Sequence, residues 1–180
     1  MHRVGTMTSK PRIPERLEWT VALLRVQPTE HLLEIGCGPG HAVALVCAQL
    51  THGTIAAIDR SSTMVARARE RNRGSIAVGR ARIEQQPLSE AVLGRRFQKV
   101  FAVNVNAFWT APGPNLGALG RLLEPAGTAY LVYEPPAPAR LRQLQRHLPA
   151  QLEAHGFDVV DILVQRFRAS HGLCIVGQPR

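Results

Sequence analysis

The sequence is poor in aromatic residues, lysine and cysteine, and it has no long apolar run. Five Phe, two Tyr and two Trp make up 5% of the 180 residues. So sparse a set gives little support to stacking on exposed nucleobases. The longest apolar runs fall well short of the ~20 residues that a membrane helix needs, which excludes a spanning segment of that kind. No charged start followed by an apolar block opens the chain, so no secretory signal and a cytoplasmic location are expected. The cysteines are three, at positions 37, 47 and 174. An odd number argues against a disulfide framework and fits a reducing compartment. They also lack the close pairing of a zinc site, and no resident metal is expected.

What is present is globular. Apolar residues are 45% and charged residues 19% of the chain, a balance unlike that of disordered segments. A chain of this size is one domain's worth and buries on the order of 70% of its unfolded surface. Residues 1–13 carry no pattern and read as a flexible tail, with Met7 an alternative start; residues 14–180 read as a single domain. The net charge is +9, and Lys10 and Lys99 are the only lysines among 22 basic residues. Such a charge suits a nucleic-acid partner. Arginine in place of lysine, with abundant Ala, Gly and Pro, is also what GC-rich codons give. The densest basic stretch holds Arg67, Arg69, Arg71, Arg73, Arg80 and Arg82, relieved only by Glu70.

Strand and helix patterns alternate along the chain. Pro14 suits a first helical turn, and Leu17, Val21 and Leu24 recur at helical spacing, so 14–26 is expected as a helix. His31–Ile35 is a short strand ended by glycines, and a helix over 40–51 follows. The apolar run Thr54–Ile58 suits a buried parallel strand. Ser61 or Ser62 can cap the next helix, and 80–85 is a weaker strand. Phe97–Val105 is a strong strand, and Asn115 can cap a helix that Pro125 and Gly127 end. Thr128–Tyr133 is a strand, and a leucine-spaced helix over 141–152 is expected to be kinked or split by Pro149. Segments 157–164 and 172–176 have no room for a helix between them and should pair antiparallel. This order predicts an α/β, Rossmann-like doubly wound sheet. It should have seven strands, mostly parallel, with an antiparallel C-terminal strand and helices on both faces. Ligands of such sheets bind at the carboxyl ends of the strands.

The first strand ends in Glu34-Ile-Gly36-Cys-Gly38-Pro-Gly40-His. Glycines allow a sharp turn and close approach of a ligand, and the helix that follows directs its free N–H groups at the same place. A dinucleotide fingerprint would put Gly or Ala where His41 stands, and a bulky residue there opposes NAD. Asp59 closes the second strand, where a carboxylate can accept both hydroxyls of a ribose or cap the next helix.

The segments LLEIGCGPG and AAIDRSSTMVARA resemble the S-adenosylmethionine-binding half of class I methyltransferases. The likeness continues through RFQKVFAVNVNAFW and LGRLLEPAGTAYLVYEPP and spans roughly 15–177. It implies S-adenosylmethionine as cofactor. Glu34 matches the acid that helps hold the methionine end. Gly36, Gly38 and Gly40, with Cys37 among them, match the loop passing under that end. Asp59 matches the ribose-binding acid, Arg60 stands where an apolar side chain usually stacks on adenine, and Met64 is a second adenine wall or ordinary core. Asn104 follows the fourth strand beside the expected path of the sulfonium. Many relatives carry an acid after the third strand that binds the adenine amino group. Glu84-Gln-Gln-Pro-Leu88 has no clear match, and Gln86 can accept that bond through its amide oxygen.

Methyl transfer is an in-line displacement with a neutral leaving group, so positioning in a dry site can supply much of the catalysis. A base is needed only where the nucleophile keeps its proton. Asn104, Tyr133 and Glu134 are the weak catalytic candidates, and Asn106 and Trp109 the expected substrate-pocket residues. His41 more naturally caps or packs than acts as a base. The Asn-Pro-Pro-Tyr type motif of amino-group nucleic-acid methyltransferases is replaced by Asn-Val-Asn-Ala-Phe-Trp at 104–109. A small-molecule methyl acceptor is therefore the leading expectation, with a monomer or homodimer and no membrane partner. The alternatives are an RNA or other nucleic-acid methyltransferase docking through the arginine-rich edge, and a non-catalytic cofactor-binding scaffold.

Overall fold

The computed structural model describes residues 13–180, so all but Ile13 of the expected tail lies outside the described residues. Seven strands, β1 (His31–Ile35), β2 (Thr54–Asp59), β3 (Ala81–Gln85), β4 (Phe97–Val103), β5 (Leu123–Tyr133), β6 (Phe157–Arg166) and β7 (His171–Pro179), form one sheet. Their spatial order is β3-β2-β1-β4-β5-β7-β6. The first five run parallel, and β7 is antiparallel to both neighbours. Between and around them lie α1 (Glu15–Leu24), α2 (His41–Cys47), α3 (Ser62–Arg71), α4 (Arg73–Ala77), α5 (Ala107–Thr110), α6 (Pro112–Leu122) and α7 (Pro138–Ala154). The expected α/β fold is present, with its strand order reversing between β1 and β4.

The central strands are apolar because both of their faces are covered. In β1, Leu33 and Ile35 face the core under α6 and α7, where Leu116, Leu119, Leu144, Leu148 and Leu152 are buried. Leu32 faces the opposite core, which Val21 and Leu24 of α1, Val43 and Val46 of α2 and Val65 and Ala68 of α3 complete. Among the described residues no helix is long and apolar enough to cross a membrane.

Four local expectations change. The helix expected over 40–51 stops at Cys47, since the chain turns back so that Thr51, His52 and Gly53 donate their N–H groups to the Pro28 carbonyl. Asn115 is not an N-cap. Pro112 opens α6 instead, and the Asn115 amide donates back to the Ala111 carbonyl at 2.8 Å. Pro125 and Gly127 lie within β5, in an irregular stretch where its register with β4 shifts between Phe97 and Lys99. Finally, α7 continues through Pro149 for 17 residues and is not split. One backbone bond is lost there, while Leu144, Leu148 and Leu152 seat the helix on both sides of the proline.

Leu119 is fully buried in the larger core. Leu119→Ala is expected to cost about 2–5 kcal/mol of unfolding free energy, read as a lowered midpoint in urea with an unchanged slope.

Candidate active site

Gly36, Gly38 and Gly40 all take positive φ, at 69°, 51° and 75°. Only glycine adopts that region without strain, so the turn between β1 and α2 requires them. At Gly40 the requirement is also steric, since a Cβ would come within 2.6 Å of the Asn72 amide and 2.8 Å of Ala68. The space about Gly38 is open, with no atom within 4 Å of where a Cβ would stand. A ligand can therefore pass close to the backbone there.

The loop is tied to its neighbours by polar side chains. One Asp59 oxygen accepts the Gly38 N–H at 2.9 Å, and the other accepts the Ser61 N–H at 2.9 Å. Ser61 caps α3 by accepting the Met64 N–H at 3.3 Å. Buried Asn72 donates to the Gly40 carbonyl at 2.9 Å and to the Ala68 carbonyl at 2.8 Å. Asn72 was not legible in sequence, because its partner lies 32 residues away.

Glu34 sits beneath the loop rather than on the cleft. Its carboxyl accepts a backbone bond from Val43 and leaves Oε2 buried with no hydrogen-bond partner. Burial, reinforced by the nearby Asp59 charge, pushes its pKa up to about 8. The carboxyl is thus mostly protonated at neutral pH in the ligand-free fold. Burial also raises the Cys37 thiol, with Glu34 and Asp59 adding to the effect, so Cys37 remains an unreactive thiol.

A cleft of about 550 Å³ opens above the ends of β1, β2 and β4. Gly36, Asp59, Arg60, Gln86, Asn104 and Asn106 line it together. Thr110 and Asn115 line it as well, and no spacing in the sequence pointed to them. The Gln86 amide donates to Glu84 at 3.0 Å, and its oxygen accepts the Val92 N–H at 3.3 Å. Asn104 occupies the left-handed region at φ 57°, which Asn tolerates better than most residues. Its Oδ1 accepts the Glu134 N–H at 2.8 Å and so joins the ends of β4 and β5.

The other expected residues stand behind the cleft or to its side. Met64 lies half-buried in the first turn of α3. The Tyr133 hydroxyl is buried and donates to the Val105 carbonyl at 2.8 Å; burial raises its pKa. Trp109 donates its indole N–H to Asn106 at 3.3 Å, and the Arg140 guanidinium covers one face of its ring at 3.8 Å. Glu134 accepts from Arg16 at 2.8 Å and from the Ser170 hydroxyl. Burial alone would raise the Glu134 carboxyl, but the bonds from Ser170 and Arg16 and the Arg16 charge outweigh it and hold its pKa below the ordinary value. His41, at the start of α2, is lowered by burial and by the Arg71 and Arg16 charges, so it is neutral near pH 7.

The sequence profile of the methyltransferase-domain family matches residues 32–127, more than half of the chain. A curated protein of Bacillus subtilis (strain 168), named as the uncharacterized methyltransferase YdaC, is 24% identical over 166 residues, covering 89% of this chain and 90% of that one. Among solved structures, a S-adenosylmethionine-dependent methyltransferase from Thiobacillus denitrificans in complex with S-adenosylhomocysteine superposes with TM-score 0.68 at 15% identity, covering 95% of this chain and 93% of that one. The cyclase SpnF superposes with TM-score 0.73 at 16% identity, covering 91% and 80%. The chain belongs to the class I S-adenosylmethionine-dependent methyltransferases.

The raised Glu34 carboxyl has a pH signature. The folded protein keeps this proton up to about pH 8, whereas the unfolded chain releases it near 4.5. Stability therefore falls as pH rises between those values and is level above them. Glu34→Gln should remove that slope and gain on the wild type from pH 5 to 8, by about 2–4 °C in Tm for each kcal/mol recovered. Thermal melts of the ligand-free proteins across that range check it; parallel curves would refute the assignment.

Proposed function

We propose that residues 14–180 form a single domain that transfers a methyl group to a small-molecule acceptor, with the cofactor lying along the cleft above β1, β2 and β4. The observation that carries this reading is that Gly36 and Asp59 line one cavity, with Asp59 braced by the N–H of open Gly38 in the same loop. When bound, the cofactor supplies an electrophilic methyl on a sulfonium and departs as a neutral thioether.

The chain's own residues then bind, orient and exclude water. Each Asp59 oxygen spends one lone pair on a backbone N–H. A second lone pair on each remains for a ribose hydroxyl. Gly36 and Gly38 let the methionine portion lie against the backbone. Glu34 supports the loop from beneath, the buried Cys37 thiol turns back to the Gly38 carbonyl, and Gly40 is locked to Asn72. Arg60 and Gln86 face the adenine side of the cleft. Met64 packs behind that side, in the first turn of α3. Asn104 and Asn106 edge the path of the methyl group. Trp109, with Arg140 over its ring, stands to the side and donates to Asn106.

Among the described residues, no free general base stands at the site in this reading. Glu134 is committed to Arg16 and Ser170, and Tyr133 to Val105. Catalysis by alignment alone suits an acceptor atom that carries its own lone pair at neutral pH.

Two observations weigh against a nucleic-acid acceptor. Four of the six clustered arginines are engaged within the fold. Arg69 donates to the Ile83 carbonyl, Arg71 to the Pro39 carbonyl, and Arg73 and Arg82 pair with Glu70 and Glu84. The cluster also lies on α3, α4 and the start of β3, whereas the segment after β4 lines the cleft on the side where this reading puts the methyl group. Solved relatives of this fold include a cyclase, so transfer itself must be measured.

Calorimetric titration with S-adenosylmethionine should give micromolar binding, and NAD none. Asp59→Ala should weaken the first by at least tenfold while the variant remains folded by circular dichroism. Unchanged affinity would remove Asp59 from the site, and binding of neither ligand would overturn the cofactor site itself.

A further inference from the structure

A second hollow of about 510 Å³ lies beside the cleft, between the segment leading into α7 and the turn from β6 to β7. One residue separates the two. The Glu134 N–H reaches Asn104 on the cleft at 2.8 Å, and Pro135, next in the chain, lines the hollow.

Its walls are apolar and its charge has one sign. Pro135, Pro138, Leu141 and Phe167 supply the apolar surface. Arg142 and Arg166 line it too; both are exposed, and neither guanidinium has a hydrogen bond or ion pair within the described chain. No Asp or Glu lines it among the described residues. Glu134, which accepts from the lining Ser170 hydroxyl, is itself paired with Arg16 at 2.8 Å. A third lining arginine, Arg168, pairs with Glu15 at 3.1 Å.

The wall made by the β6–β7 turn is held in place. Phe167 packs edge-on against Trp19 with ring centroids 5.7 Å apart. Its N–H donates to the Ser170 carbonyl at 2.9 Å, and the Ser170 hydroxyl donates to Glu134. The Arg168 N–H donates to Glu15 at 3.0 Å. The Phe167–Ser170 bond closes the turn on itself, and the other contacts fasten it to α1 or to the end of β5. The apolar part of that wall is thus preorganised for a ligand, while Arg142 on α7 and Arg166 at the end of β6 keep free guanidinium groups that can turn onto an anion.

We propose that this hollow anchors the methyl acceptor, and that the acceptor is a small molecule with an apolar body and an anionic group held by Arg142 and Arg166. The apolar body lies against the prolines, Leu141 and Phe167. The anion takes the charge-assisted bonds that a planar guanidinium offers a carboxylate or phosphate. This rests on the cofactor lying in the adjoining cleft. It goes further in naming the acceptor's chemistry.

The test compares naphthalene-2-carboxylate with its neutral isostere, naphthalene-2-carboxamide, by calorimetry, on the protein with and without saturating S-adenosylhomocysteine. The carboxylate is expected to bind at least tenfold more tightly than the amide. The double variant Arg142→Gln/Arg166→Gln should abolish that preference and leave S-adenosylhomocysteine affinity unchanged, since neither side chain contributes to the cleft. Equal binding of the two probes, binding of neither, or a preference that survives in the double variant each overturns the proposal. So does a short RNA that binds at physiological salt and displaces the carboxylate, which would make the hollow a phosphate-docking surface. Because S-adenosylhomocysteine is titrated separately and the probe preference is read in its absence too, failure of the cofactor site and failure of the acceptor site give different results.

Discussion

Two hydrogen bonds to one carboxylate organise the ligand-facing edge of the sheet. Asp59 ends β2, and its two oxygens take N–H groups from the glycine loop after β1 and from the residue that caps α3. Remove that carboxylate and the Gly38 and Ser61 N–H groups lose the acceptor that fixes them relative to each other. The Gly36 and Cys37 N–H groups both point to the Ile58 carbonyl, so loop and strand are joined on both sides of the side chain. Asn72 closes the ring from the far end of α3 by holding the Gly40 carbonyl. The cleft is thus framed by bonds between loops that local sequence cannot connect.

A second network does for β5 what Asp59 does for β2. Glu134 receives Arg16 from α1 and Ser170 from the β6–β7 turn, while its own N–H is held by Asn104. Four segments meet at one residue. The ionised carboxylate is stabilised there by two partners, which is why it holds structure in place and is ill suited to accept a substrate proton. Tyr133 has the same fate one residue earlier, its hydroxyl given to the Val105 carbonyl.

The α/β order, the seven strands and the antiparallel end were legible because they follow from short-range pattern. Apolar runs bounded by glycine mark buried parallel strands, and a gap too short for a helix between 164 and 172 forces a hairpin. The glycine loop and Asp59 were legible because their spacing is fixed by one turn and one crossover. What pattern missed was long-range or steric. Pro149 reads as a break, yet the leucines around it bury enough surface to carry the helix through. Asn115 reads as a cap, yet Pro112 takes the first turn. Thr110 and Asn115 on the cleft, Arg16 and Ser170 on Glu134, and the whole second hollow depend on which elements the fold brings together.

Net charge also changes meaning once the fold is known. A chain at +9 with an arginine run from 67 to 82 suggests a polyanion. Screening leaves such a field effective over about 10 Å at moderate salt, so where the unpaired groups stand matters more than the total. Along the run, carbonyl oxygens and glutamates occupy most of the guanidinium groups, which serve to pin α3 and β3. At the second hollow two guanidinium groups have no such duty and stand beside apolar residues next to the end of β5. An extended polyanion needs a row of free charges over a long surface. A pair of them over a concave apolar pocket matches a compact anion with a hydrocarbon body, because the body must leave water as the charge is met.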